Sequence, residues 1–267
     1  MKLNHEKQIL ELLNIAIDSG REILKIYDNE IIVNSKEDKS PITQADVNSN
    51  NLIVNRLKRL EPNIPILSEE SLVSWENRKD WNTYWLIDPL DGTKEFINRN
   101  GEFTVNISLI ENNYPIFGII YSPAKSILYY ALKNNGCYKL KTNSNLSTLK
   151  DFNKINIKKE KNITTKVIGS RSHSSKDFQN WVEKKFTNFE LITIGSSLKF
   201  CILAEGEADI YPRFGPTSEW DIAAGHIILE EAGGKLKSID NKDILYNTKE
   251  DILNPDFIAY GNLSKAD

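Results

Sequence analysis

The stretch W-L-I-D-P-L-D-G-T-K-E-F, residues 85–96, sets the reading of the chain. With Tyr84, its first residues form a short apolar run of the kind that makes a buried strand. The run stops at Asp88. Pro89 has no amide to give a ladder and is expected to end the strand. Asp91-Gly92-Thr93 is then a turn signature at a helix start, where main-chain amides are free. Two carboxylates three residues apart on a strand-to-loop corner suit a hard cation, and the amides of Gly92 and Thr93 suit a phosphate oxygen. Asp-Gly is also among the commonest turn dipeptides, so this stretch alone fits a plain turn equally well.

At 267 residues the chain has room for one large domain or two of ordinary size, with ample core. A hydrophobic content of 40%, 27% charged residues and a net charge of −3 describe a globular protein. They give no reason to expect nucleic acid or an anionic membrane surface as partner. The opening Met-Lys-Leu-Asn-His lacks an apolar signal core, and no apolar run approaches about 18 residues. Cys137 and Cys201 are expected to be free thiols, and His5, His173 and His226 are too scattered for a zinc site. The expectation is a cytoplasmic protein without membrane insertion, peripheral association with the inner membrane being left open.

In chain order, Ile9, Leu12, Leu13, Ala16, Ile17, Gly20, Ile23 and Leu24 recur at helical spacing and predict a helix over 4–28. A polar segment leads to Asp46, which is placed as the cap of a second helix. Residues 62–67 predict a strand running into Ser68-Glu69-Glu70, and 71–83 a loop. Strands over 103–110, 116–121, 127–132 and 136–140, separated by tight turns, predict a meander. The polar segment 141–162 is the expected internal boundary, dividing an α+β part (1–150) from an α/β part (151–267) in which strands and helices alternate.

Two constellations carry chemistry. The first is acidic: Glu69, Asp88, Asp91 and Asp221, with Asp46 joining if the fold brings it near. Carboxylates about 4 Å apart repel by roughly 4 kcal/mol per pair at an effective dielectric near 20. A cluster of them implies bound cations, and oxygen-only ligands imply Mg²⁺ rather than zinc. Asp221 also fits a helix N-cap, so its role stays open at this point. The second is G-S-S-L-K, residues 195–199, opening a helix closed by Gly206. Ser196 and Ser197 read as caps, but Lys199 near a helix start is disfavoured by the helix dipole. An anion held by Ser196, free amides and Lys199 removes that conflict, and Arg213 from the next strand is placed to grip it. Together the constellations suggest a substrate with two phosphates.

D-P-L-D-G-T (88–93), Glu69-Glu70 and W-D-I-A-A-G (220–225) resemble the inositol monophosphatase superfamily of lithium-sensitive, Mg²⁺-dependent phosphatases. The run 195–226 is similar, more narrowly, to its bacterial 3′(2′),5′-bisphosphate nucleotidase branch. The resemblance covers nearly the whole chain and implies a layered α-β-α-β-α sandwich. It implies two or three Mg²⁺ ions on Glu69, Asp88, the Leu90 carbonyl, Asp91 and Asp221, with Li⁺ and Ca²⁺ as inhibitors. Thr93, with Asp46 and Glu69, would activate water; the Gly92 and Thr93 amides would hold the scissile phosphate. Ser196, Lys199 and Arg213, beside Asp221, would hold the second phosphate, and His173 in S-R-S-H (170–173) would lie near the nucleoside.

The implied reaction is water attack on the 3′-phosphate of adenosine 3′,5′-bisphosphate, with its phosphosulfate as a further substrate, by a monomer or homodimer. The rivals are an inositol monophosphatase and a non-catalytic metal- or nucleotide-binding regulator. An aspartyl-phosphate enzyme needs D-x-D-G-T, whereas the spacing here is D-x-x-D-G-T.

Overall fold

The computed structural model describes residues 6–29, 31–35, 41–157, 164–169 and 176–262. Helix α1 (Glu6–Tyr27) is followed by the small antiparallel pair β1 (Val33–Ser35) and β2 (Pro41–Thr43), then α2 (Gln44–Leu60). β3 (Ile66–Ser68), the short α3 (Trp75–Arg78), β4 (Thr83–Asp91) and the one-turn α4 (Thr93–Ile97) lead into the meander. The meander is β5 (Thr104–Glu111), β6 (Tyr114–Ser122), β7 (Ile127–Leu132) and β8 (Gly136–Lys141), with β9 (Asn153–Ile155) at its edge. These strands form a seven-stranded sheet in the order β3-β4-β5-β6-β7-β8-β9, parallel only between β3 and β4.

The remainder is β10 (Thr165–Gly169), α5 (Lys176–Lys185), β11 (Phe189–Thr193), α6 (Leu198–Ala204), β12 (Ile210–Arg213), α7 (Glu219–Glu231), β13 (Lys235–Ser238) and β14 (Phe257–Tyr260). Its five-stranded sheet has the order β11-β10-β12-β14-β13. Parallel pairing links β10 to β11 and β12; β14 runs antiparallel to its neighbours. Among the described residues no helix is long and apolar enough to cross a membrane.

The layering follows from the burial of β4 on both faces. Trp85 and Ile87 enter a core with Leu12, Leu13 and Ala16 of α1 and Ile53 and Leu57 of α2. Tyr84 and Leu86, one residue out of phase, enter a second core with Phe200 of α6, Trp220 and Ala223 of α7, and Phe257 of the second sheet. Phe178 and Val182 of α5 close the outer face of that sheet against Val167, Ile210 and Ile258. Each large side chain so buried contributes about 1.5–3 kcal/mol. The result is the layered α-β-α-β-α sandwich. Because α7 packs on β4, β5 and β6, the two halves share one interior. The polar segment between them supplies β9, an edge strand of the first sheet.

The structure corrects several local expectations. β4 runs through Pro89 to Asp91, and its register against β5 shifts between Asp88 and Asp91. A bulge of this kind absorbs a residue with no amide donor. The loop expected over 71–83 contains α3, and the strand expected over 62–67 is confined to Ile66–Ser68. Neither Asp46 nor Asp221 is an N-cap. The caps are Thr43 and Ser218, and both aspartates sit three residues further on, as the reciprocal partners in capping boxes.

Candidate active site

The two capping boxes place two carboxylates by the same local rule. Asp46 Oδ2 accepts from the Thr43 amide at 2.8 Å and the Thr43 hydroxyl at 2.7 Å. Its Oδ1 accepts from Thr93 Oγ1 at 3.2 Å, and the same hydroxyl lies 3.4 Å from the Leu90 carbonyl. Burial raises the Asp46 pKa against the opposing effect of the Thr43 bonds. At α7 the Ser218 amide donates to Asp221 Oδ2 at 2.9 Å.

The end of β4 supplies the next two carboxylates. Asp88 Oδ1 accepts the Leu90 amide at 3.0 Å, and Ser49 of α2 donates to the Pro89 carbonyl at 2.6 Å, fixing the bulged corner. Gly92 follows at φ 90°, ψ 46°, and a Cβ there would lie 3.1 Å from the Glu102 carbonyl. Only glycine combines that left-handed backbone with that proximity. Glu69 leaves β3 with its amide on the Ile87 carbonyl at 3.1 Å. Asn50 steadies this corner, accepting from Ser68 Oγ at 2.7 Å and donating to Ser71 Oγ at 2.9 Å.

Electrostatics show that these groups face one another. The Asp88 pKa is raised well above the usual carboxylate value by burial, then by Glu69, Asp91 and Asp221. Asp221 is raised by burial, then by Asp91 and Glu69. Asp91 is raised by burial, while Lys199 and the Ser197 amide oppose the shift. Glu69 and Asp88 are also within hydrogen-bond reach of each other. Two carboxyls are held that close only by sharing a proton or a cation.

Among the described residues no three acidic, His or Cys side chains are arranged so as to enclose an ion. What fits a divalent cation is the donor chemistry: oxygen ligands only, and mutual repulsion that a cation removes. Asp88, Asp91 and Asp221 each commit one oxygen to a main-chain amide, and the second is the one a cation would take.

Beside this cluster lies a cavity of about 130 Å³, with Asp91, Gly92, Ser196, Lys199, Arg213 and Asp221 among its lining. Lys199 is buried, donates to the Ser196 carbonyl at 2.9 Å, and lies 5.8 Å from the centre of the Tyr211 ring. Burial lowers its pKa, and Asp91 works against that shift. Arg213 Nη2 donates to the Pro216 carbonyl at 2.9 Å, while its buried Nε has no partner among the described residues. A buried donor left unpaired is costly, and an acceptor brought by a ligand satisfies it. α4 and α6, at five and seven residues, are too short for a strong end dipole. The cationic side chains therefore carry the attraction for an anion. His173 lies outside the described residues.

Sequence reasoning missed the group that ties the cluster to the cavity. Ser197 is the N-cap of α6 but makes no capping bond through its side chain. Its amide donates to Asp91 Oδ2 at 2.5 Å, and its hydroxyl to Asn106 Oδ1 at 2.7 Å. Thr104 Oγ1 lies 2.8 Å from the same hydroxyl. Gly195 allows the approach, since a Cβ there would fall 2.6 Å from Glu95 Cγ. The signal was present in T-V-N-I-S-L, residues 104–109. The polar phase of that alternation looks solvent-facing, yet Thr104, Asn106 and Ser108 are buried, on a strand packed against α7.

Layered sheets with an acidic corner beside a cation-lined cavity define a class, and the chain belongs to the inositol monophosphatase family, whose model matches residues 5–265. Within that family it is 40% identical over 249 residues to the 3′(2′),5′-bisphosphate nucleotidase CysQ of Shigella flexneri, covering 92% of this chain and 97% of that protein. It is 41% identical over 257 residues to the CysQ of Buchnera aphidicola, covering 95% and 93%. The crystal structure of CysQ from Bacteroides thetaiotaomicron superposes with a TM-score of 0.86 at 39% identity, over 97% of this chain and 98% of that one.

Proposed function

We propose that this chain is a Mg²⁺-dependent 3′(2′),5′-bisphosphate nucleotidase, removing the 3′-phosphate of adenosine 3′,5′-bisphosphate to give AMP and phosphate. The observation that carries the reading is the shared cavity. Lys199, which is buried, and Arg213 line the same cavity as Asp91 and Asp221. A monophosphate needs the acidic side alone. A second anionic group gives the cationic side its purpose. The nucleotidases of about 40% identity support the same reading.

In this mechanism Glu69, Asp88, Asp91, Asp221 and the Leu90 carbonyl would hold the cations. Bound Mg²⁺ supplies a lowered pKa for water and neutralisation of charge on the transferring phosphoryl group. Thr93 Oγ1 donates to Asp46 Oδ1, so its lone pairs can accept from the attacking water. Asp46, buried and raised in pKa, takes the Thr93 proton as Thr93 takes one from the attacking water. The Gly92 and Thr93 amides would hold the scissile phosphate, and Ser196, Lys199 and Arg213 the 5′-phosphate.

The test is phosphate release with Mg²⁺ across adenosine 3′,5′-bisphosphate, its phosphosulfate, adenosine 3′-monophosphate and inositol monophosphate. The expected preference is for the first two. Faster turnover of inositol monophosphate would replace this reading with the sister activity.

A further inference from the structure

One five-residue turn serves two purposes at once. Residues 195–199 line the anion cavity through Ser196 and Lys199, and through the Ser197 amide they hold Oδ2 of Asp91. Ser196 stands in the left-handed region at φ 50°, a conformation that a residue with a Cβ keeps only when its surroundings fix it. The fixing contacts are those of the next residue. The single hydroxyl proton of Ser197 goes to Asn106, so Thr104 must be the donor in the Thr104–Ser197 contact. Asn106 Nδ2 in turn lies 3.5 Å from the same Asp91 Oδ2. Thr104 is the cross-strand neighbour of Asp91, and Asn106 that of Asp88. Thr104, Asn106 and Ser197 are all at least 98% buried.

We infer that Ser197 is a positioning residue that couples the second-phosphate subsite to Asp91, so that an anion bound beside Lys199 and Arg213 tightens cation binding at the acidic cluster. This rests on the nucleotidase reading and adds a route by which the substrate's non-reacting phosphate assists the reacting end. Holding the anion holds the turn, the turn holds the Ser197 amide, and the amide fixes Asp91 with its other oxygen available. Linkage makes the effect reciprocal: a bound cation strengthens anion binding by the same factor.

The experiment is calorimetric titration of Mg²⁺ into the protein with and without saturating adenosine 5′-monophosphate, which carries the second phosphate alone; Mg²⁺ bound by the nucleotide in buffer is subtracted. The proteins are wild type, Ser197→Ala and Thr104→Val. Thr104→Val keeps the shape and removes only the donor to Ser197, so it carries the test if Ser197→Ala fails to fold. In wild type the nucleotide is expected to tighten Mg²⁺ binding about tenfold, in the usual range of coupling between sites. In either variant that factor is expected to fall to about twofold, the part due to direct charge attraction, which the variants leave unchanged. A variant that retains the full wild-type factor overturns the coupling role, and so does a wild type with no enhancement. Phosphate release by wild type from the bisphosphate, measured alongside, separates that failure from failure of the nucleotidase reading.

Discussion

Thr93 Oγ1 donates to Asp46 Oδ1 across 3.2 Å, and the other oxygen of Asp46 is already taken by the amide and hydroxyl of Thr43. The carboxylate therefore cannot turn away from Thr93. A threonine at the start of the one-turn α4 and an aspartate at the start of α2 become a fixed pair. Such a pair is suited to orienting water and taking up its charge.

Thr93→Val keeps the shape of the side chain and deletes the hydroxyl. Removing a group that assists proton transfer typically costs 10²–10⁴-fold. The loss is expected in kcat with KM nearly unchanged, measured as phosphate release from adenosine 3′,5′-bisphosphate. A change confined to KM would instead assign Thr93 to phosphate binding.

Asp91→Asn removes a charge and almost no volume, and the Asn oxygen can still accept the Ser197 amide. Phosphate release is expected to fall to background while the fold persists. In chelator the variant should melt above wild type, because burial makes ionised Asp91 unfavourable against the pull of Lys199, and its charge disfavours ionised Asp88 and Asp221. Added Mg²⁺ should raise the wild-type melting temperature and leave the variant nearly unmoved.

Arg213→Met tests the second phosphate. A charge-assisted contact is worth about 1.5–3 kcal/mol. The variant is therefore expected to lose about 10- to 150-fold in kcat/KM on adenosine 3′,5′-bisphosphate and almost nothing on adenosine 3′-monophosphate. Equal losses on both substrates would make Arg213 a structural residue.

Glu219 predicts a pH effect outside the chemistry. Both its oxygens accept the Asn247 amide, at 2.9 and 3.0 Å, yet burial raises its pKa from 4.5 to about 7. Raised in the fold, it contributes stability that is full below its unfolded value and is lost as pH climbs through about 7. In chelator, the unfolding free energy of wild type relative to Glu219→Gln is expected to drop by about 2–3 kcal/mol between pH 5 and pH 8. Parallel pH profiles in urea denaturation would refute it.

Much of this was legible in the residues. The spacing of α1, the meander with paired asparagines at its tight turns, and the closing strand β14 all follow local rules. Asn112 and Asn113 at φ 50° and 62° form the mirror-image turn such hairpins favour. The acidic set could be proposed because D-x-x-D-G-T joins a strand end to free amides. Three things were hidden for physical reasons. Pro89 ends a ladder in general, but a bulge keeps β4 going to Asp91. Thr43 and Ser218, with Asp46 and Asp221 three residues on, satisfy a capping box whose cap is the hydroxyl residue, so attention to the acids displaced it. Asn106 and Thr104 could not be placed, because a polar phase in a strand reveals burial only once the covering helix is known.

The doubled capping box has a further consequence. Asp46 and Asp221 each accept the N-cap amide of their helix with one oxygen and turn the other toward the site. Fraying of either helix start and occupancy of the site then draw on the same carboxylate. Amide protons in the first turns of α2 and α7 should exchange with solvent more slowly once a cation is bound. The breathing of two helix ends becomes a gauge of what the site contains.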